Sequence, residues 1–195
     1  MTERTTAPGQ THAPSAVDAG LVPVTPHFVP VVETARLRLH CPTAEHVATL
    51  IAEYGKPRTR YMGGPFSAKE AWLSIGADTA GWLYNGFGYW SVTDRATGAL
   101  VGSVGLGHPP DYAERELGWF VLEAAEGHGF AREAAAAARD HAFETLGFST
   151  LVSYIDRDNA RSIRVAEALG AEVDPTAVGP DPEDLVYRHR TGAAR

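Results

Sequence analysis

Residues 116–146, ELGWFVLEAAEGHGFAREAAAAARDHAFETL, constrain the fold more than any other stretch, because they read as strand, glycine turn and long helix in direct succession. Residues 116–122 alternate and are rich in aromatic and branched side chains, as a half-buried strand requires. From Phe130 onward the apolar residues fall at helical spacing, at Phe130, Ala131, Ala134, Ala135, Ala138, Ala142 and Leu146. One helix face would bury that stripe. Between strand and helix lies Glu126-Gly127-His128-Gly129-Phe130-Ala131. Its glycines permit a sharp turn and close backbone approach to a ligand, and the helix start offers unpaired N–H groups at the positive end of a dipole. A phosphate or diphosphate suits such a turn; a plain strand-to-helix connection is the alternative.

Two phosphate motifs fail against these letters. A P-loop needs Gly-Lys-Ser/Thr, and no such lysine follows Gly129. A dinucleotide fingerprint needs a third glycine where Arg132 stands, in a doubly wound chain with more helices than this sequence offers.

The next segment narrows the choice. Gly147 closes the long helix, residues 149–155 (STLVSYI) read as a second strand, and Asp156-Arg157-Asp158-Asn159 leads into a helix over residues 160–169 that Gly170 ends. In this order the chain resembles the GNAT superfamily of acyl-CoA-dependent N-acetyltransferases, where Gln/Arg-x-x-Gly-x-Gly/Ala grips the coenzyme diphosphate. Glu126, Gly129 and Ala131 stand at the corresponding positions, and Glu126 departs from the pattern by placing a carboxylate where Gln or Arg is usual. The ribosomal-protein N-acetyltransferase branch is the most similar, through ETARLRL at residues 33–39, ELGW at 116–119, GHGFAREA at 127–134 and NARS at 159–162. The resemblance covers residues 32–190. It implies a mixed α/β (α+β) fold with a mostly antiparallel central sheet flanked by helices, whose strands 116–122 and 149–155 splay to admit pantetheine.

A chain of 195 residues suits one such domain, expected at residues 32–190 between a flexible tail at 1–31 and a short one at 191–195. Residues 1–31 are rich in Thr, Ala and Pro without periodicity, unlike a signal peptide. No run is long enough for a membrane span, and a lone cysteine, Cys41, fits a reducing compartment, so a cytoplasmic protein is expected. The net charge of −7 argues against a nucleic-acid face and leans towards a cationic, amine-bearing acceptor.

Ahead of the central stretch, residues 34–40 alternate as a first strand, and Pro42-Thr43 opens a helix to Tyr54. Ser67-Ala68-Lys69-Glu70 has the form of a capping box for a helix ending before Gly86. Residues 87–93 and 100–106 flank a polar connector as an antiparallel hairpin. Residues 172–184 read as loop and 185–189 as a last strand.

The resemblance also implies a chemistry. A neutral amine, from a small molecule or a protein N-terminus, attacks the thioester of acetyl-CoA directly, without metal. A thiol of pKa about 8.5 leaves readily as thiolate. By resemblance Glu116 is the general base, acting through water, with an ordinary strand-end carboxylate as the alternative. Trp119, Phe120 and Val121 would lie beside the thioester, an N–H of Phe120 or Val121 polarising its carbonyl. Gly127, His128, Gly129, Phe130, Ala131 and Arg132 would hold the diphosphate. Asn159 is a natural helix cap that would also bond pantetheine, and Ser162 is a candidate to protonate the sulfur. Many relatives place a tyrosine further along that helix; here Val165, Ala166, Glu167 and Ala168 leave only Tyr154 on the strand. Arg132, Arg161 and Arg164 could meet the ribose phosphate. Trp82, Tyr84, Tyr89, Trp90 and His108 could line the acceptor pocket or simply pack. Two rival functions stay open: a silent acyl-CoA-binding module, suggested by Glu126 and the missing tyrosine, and a nucleotide-binding α/β protein.

Overall fold

The computed structural model describes residues 29–192. Most of the expected N-terminal tail and residues 193–195 lie outside that range. Within it, Val29 already packs on the core and the Pro30 carbonyl accepts the Trp90 indole N–H at 2.7 Å, so contact with the domain begins ahead of residue 32.

Among the described residues eight strands form one sheet in the order β1-β2-β3-β4-β5-β6-β8-β7. They are β1 (Val32–Glu33), β2 (Leu37–His40), β3 (Tyr89–Asp94), β4 (Leu100–Gly107), β5 (Glu116–Val121), β6 (Thr150–Asp156), β7 (Glu172–Val173) and β8 (Asp184–Arg190). All neighbours run antiparallel except β5 and β6, which are parallel and joined by the crossover helix α3 (Phe130–Glu144). This is the mixed, mostly antiparallel sheet that the resemblance implies, and it rules out the doubly wound parallel sheet of a dinucleotide-binding chain.

Helices cover both faces. Alternation along β5 sends Leu117 under the buried alanines of α3 (Ala134, Ala135, Ala138, Ala142), while Phe120 turns to the opposite face. There it meets Leu50 and Tyr54 of α1 (Ala44–Tyr54) and Ala71 and Ile75 of α2 (Ala68–Tyr84). Small side chains on α3 let the helix lie close to the sheet, which fixes where its first turn falls relative to the end of β5. α4 (Ala160–Ala168) follows β6 and packs through Ala166 on Ile155 and Tyr187.

Local signals hold where the chemistry is local. Ser67 and Glu70 form both bonds of the capping box, and Thr43 caps α1. Asp94 Oδ1 accepts from the Ala96 and Thr97 amides, closing the β3–β4 hairpin. Gly147 and Gly170 take φ of 72° and 77° after their helices. Two expectations are corrected. The first strand does not run from Thr34, because Thr34 N–H donates to Leu37 O in a turn that parts β1 from β2. Residues 172–184 are not all loop, since Glu172–Val173 pairs with β8, a two-residue strand created by its partner and without periodicity of its own.

Candidate active site

The parallel pair at the centre of the sheet barely forms. β5 and β6 share a single register pair, Glu116↔Val152, with Val152 N–H on Arg115 O at 3.0 Å, and then part. The splay leaves a cleft of about 990 Å³ that runs from the β5–β6 opening to the first turns of α3 and α4. Trp119, Phe120, Val121, Gly127, Gly129, Phe130, Ala131, Arg132, Asn159 and Ser162 all line it. His128 does not: its Nδ1 turns back to Glu126 O at 2.8 Å and its ring stacks on Phe130.

Which β5 amides face the opening follows from alternation. Leu122 N–H bonds Val101 O on β4, whereas the carbonyls of Leu117 and Val121 are taken from the other side, by Ser153 and Arg58. Even-numbered residues of β5 therefore spend their N–H on β4, and Trp119 and Val121 present theirs to the cleft. Of Phe120 and Val121, Val121 is the one whose N–H faces the cleft.

The turn after β5 begins with a 3-10 segment, Glu123–Ala125, and reaches α3 through Gly127 and Gly129, at φ of 80° and 75°. Gly129 is the N-cap and has no side chain to bond the amides behind it, and the first helical bond is Glu133 N–H to Gly129 O at 3.2 Å. The N–H groups of Phe130, Ala131 and Arg132 thus end the helix uncapped, beside the cleft. At the α4 end Asn159 Oδ1 accepts the Ser162 amide at 3.2 Å, so its capping role is satisfied internally.

The turn is held from a distance. Arg36 Nη1 donates to His128 O at 2.9 Å, its guanidinium pairs with Glu133 in the first turn of α3, and it lies 4.8 Å over the Phe130 ring. Thr34 Oγ1 donates to the same carboxylate at 2.5 Å. The glutamate that would otherwise put a negative charge at the helix start is thereby neutralised on the far side. Sequence reading places Thr34 and Arg36 in a strand and shows no local sign of this task.

Glu126 is neutralised too. One oxygen takes Arg58 of the 3-10 segment Pro57–Met62, the other takes Arg161 of α4 at 2.5 Å, and Arg58 also donates to Val121 O at 3.0 Å. Arg132 and Arg164 on the rim have no carboxylate partner among the described residues. The mouth is therefore cationic in a chain whose net charge is −7. Arg58, Arg60 and Tyr61 reach it from the 3-10 segment Pro57–Met62, which carries no periodic signal in the sequence.

At the other end of β5 the character reverses. Burial, and next the nearby Asp78 carboxylate, push the Glu116 carboxyl up to about 8, while the Tyr89 hydroxyl, 3.5 Å away, and the Tyr154 amide pull the other way. Asp78, reaching in from α2, is itself raised to about 7 by burial. Tyr89 lies flat against β5 only because residue 118 is glycine: a Cβ there would sit 2.0 Å from its hydroxyl. Of the five candidate pocket residues Tyr89 alone is recorded against Glu116; Trp82 and Trp90 pack together in the core at 4.5 Å, and Tyr84 and His108 are exposed. Tyr154 packs edge-on against Tyr112 at 5.0 Å with its hydroxyl buried and unbonded among the described residues. No group of three or more His, Cys, Asp or Glu able to hold a metal occurs among the described residues, and none of the described helices is long and apolar enough to cross a membrane.

A family profile for the acetyltransferase (GNAT) domain matches residues 36–172. A solved acetyltransferase from Agrobacterium tumefaciens strain C58 is 40% identical, with a TM-score of 0.81 over 84% of this chain and 95% of that one. The YkkB protein of Bacillus subtilis strain 168 is 29% identical across 164 residues, 81% of this chain and 94% of its own length. RimL, a ribosomal L7/L12 α-N-protein acetyltransferase solved with coenzyme A, shares the fold at 15% identity and a TM-score of 0.66, over 85% of this chain and all (100%) of that one.

Proposed function

The chain belongs to the GNAT acetyltransferase family, and on that premise we propose that it moves an acetyl group from acetyl-CoA to a primary amine by direct attack on the thioester. One observation carries the reading: β5 and β6 part after a single pair, and the opening leads straight to an uncapped helix start. A thiol arm with a diphosphate at its far end matches both features at once.

In this reading the free N–H groups of Phe130, Ala131 and Arg132 and the backbone at Gly127 and Gly129 take the diphosphate. Arg132 and Arg164 are free to meet a further phosphate. The pantetheine amides extend β5 on its open side, between Trp119 and Val121 on one flank and Asn159 and Ser162 on the other. The thioester carbonyl lies against the Val121 N–H, which is fixed before the ligand arrives and so stabilises the oxyanion at little reorganisation cost. An amine enters as ammonium, with an ordinary pKa of about 10.4 for a lysine-like group, and must lose a proton before it attacks. Glu116, held near 8, accepts it through water far better than an ordinary carboxylate would. Ser162 is the hydroxyl that α4 brings to the cleft and the candidate to protonate the sulfur, and a thiolate can also leave unassisted. The neutralisation of Glu126 by Arg58 and Arg161 removes one of the two grounds for a silent binding module.

Titration calorimetry with acetyl-CoA, followed by free-thiol release against a panel of small amines and N-terminal peptides, tests this. Binding with amine-dependent thiol release is expected. Binding without release from any amine would favour the silent module, and no binding at all would overturn both.

A further inference from the structure

The β5–β6 ladder stops for a reason visible at one side chain. In a parallel pair the bonds recur every second residue, so after Val152 N–H on Arg115 O the next rung would be Tyr154 N–H on Leu117 O. That acceptor is already taken: Ser153 Oγ donates to Leu117 O at 2.6 Å. Ser153 is 2% exposed, and a hydroxyl has one proton to give, so its contact with His189 Nε2 at 3.0 Å is one in which the ring donates. His189 is 1% exposed and neutral, its pKa lowered to about 4 by burial and then by Arg139. With the proton on Nε2, Nδ1 is an acceptor, and it is buried without a partner among the described residues. A leucine would fill that space with no orphaned nitrogen, so the Nε2 bond to Ser153 is what the ring contributes. The Tyr154 amide is left beside the Glu116 carboxyl, whose pKa it helps to lower.

We propose that Ser153, oriented by His189, is a positioning residue that ends the β5–β6 ladder by capping Leu117 O, which sets the depth of the acyl-CoA cleft. The role rests on the acetyltransferase reading above. It is physically economical, because one hydroxyl replaces one rung and leaves the Trp119 and Val121 amides open for a ligand.

Ser153→Ala uncaps Leu117 O and lets Tyr154 N–H complete the rung. A crystal structure of the variant should show that amide within hydrogen-bond distance of Leu117 O. Its Kd for CoA should rise about tenfold, and the acid limb of kcat/KM should move to higher pH as the Tyr154 amide is drawn from beside Glu116. Ser153→Thr, which keeps the hydroxyl, should return both values to within about threefold of the native protein. Ser103→Ala is the matched control: it also removes a buried serine bond to a backbone carbonyl, Trp90 O at 3.0 Å, and should lower Tm without moving Kd or the pH profile. If Ser153→Ala does not fold, Ser153→Cys, a weak donor, is measured in its place with the same expectation. An unchanged strand separation, or a native Kd and pH limb in the variant, would overturn the proposal. Failure of the native protein to bind acetyl-CoA would instead defeat the functional reading, and the strand geometry of the variant would still decide whether Ser153 stops the ladder.

Discussion

The two ends of β5 contrast in how they are built. At its C-terminal end the cleft is made of backbone: amides of Trp119 and Val121, left-handed glycines at 127 and 129, and the uncapped start of α3, all supplied within a dozen or so residues of continuous chain. At its N-terminal end Glu116 sits among side chains from separate elements, Asp78 of α2, Tyr89 of β3 and the Tyr154 amide of β6. One end is cationic and rimmed by arginine; the other gathers carboxyls that burial keeps partly protonated near neutral pH. A backbone site can bind the same coenzyme whatever side chains drift around it, whereas a side-chain site can change its acceptor by changing one residue on a remote helix. In the proposed reading the contrast assigns cofactor and acceptor to different kinds of structure, divided by the point where β5 and β6 separate.

Glu116→Gln should break the contrast most sharply. We expect kcat to fall by about 100-fold or more, within the usual range for losing a general base, while KM for acetyl-CoA stays within twofold. In the native protein kcat/KM should rise with pH through about 8, because the ionised form of Glu116 is the active one. Steady-state kinetics across pH 6 to 9.5 check both, and a native-like rate in the variant would assign the base elsewhere.

Gly129→Ala probes the backbone end. The new Cβ meets nothing closer than Arg36 Nη2 at 3.7 Å, so the penalty is the left-handed backbone at φ of 75° and not a clash. That costs about 1–2 kcal/mol, and Kd for acetyl-CoA should weaken about tenfold with kcat at saturation little changed.

Stability carries a signature of the acidic end. Glu116 and Asp78 bind protons more tightly folded than unfolded, so their contribution is complete near pH 4 and lost as pH rises through about 7 and 8. Asp78→Asn should therefore flatten the fall in Tm between pH 5 and 9 expected of the native protein. By removing a like charge it should also move the acid limb of kcat/KM to lower pH. A limb that does not move would detach Asp78 from Glu116.

The smallest effect belongs to Glu126→Gln. Removing the carboxylate frees Arg58 and Arg161 to meet the diphosphate, and a two- to threefold tightening of acetyl-CoA is expected at low salt, shrinking as salt screens the arginines. Weaker binding would mean that the carboxylate serves to aim the two guanidinium groups.

The legibility of the two ends differs for the same reason that their construction does. Residues 116–132 display strand alternation, glycine turn and helix stripe in order, and the structure realises each of them with β5, the turn and α3. His128 could be named as a turn residue but not oriented, since its ring direction depends on Glu126 O and Phe130. The choice between Phe120 and Val121 needed the β4 register, which no window of sequence contains. Nothing in the sequence around Asp78 or Arg58 marks either residue for the site. Thr34 and Arg36 carried only the general resemblance of ETARLRL, with nothing to say that they brace a helix nearly a hundred residues away.

Sequence alone settled most of the elements, their order and the place of the glycine turn, because helix stripe, strand alternation, caps and glycine turns act over a few residues. Only the tertiary structure decided which amides face the cleft, how Glu126 and Glu133 are neutralised and why the Glu116 carboxyl is raised. Those depend on burial and on charges brought together from distant parts of the chain, and Coulomb interaction and desolvation follow distance in space and not separation in sequence.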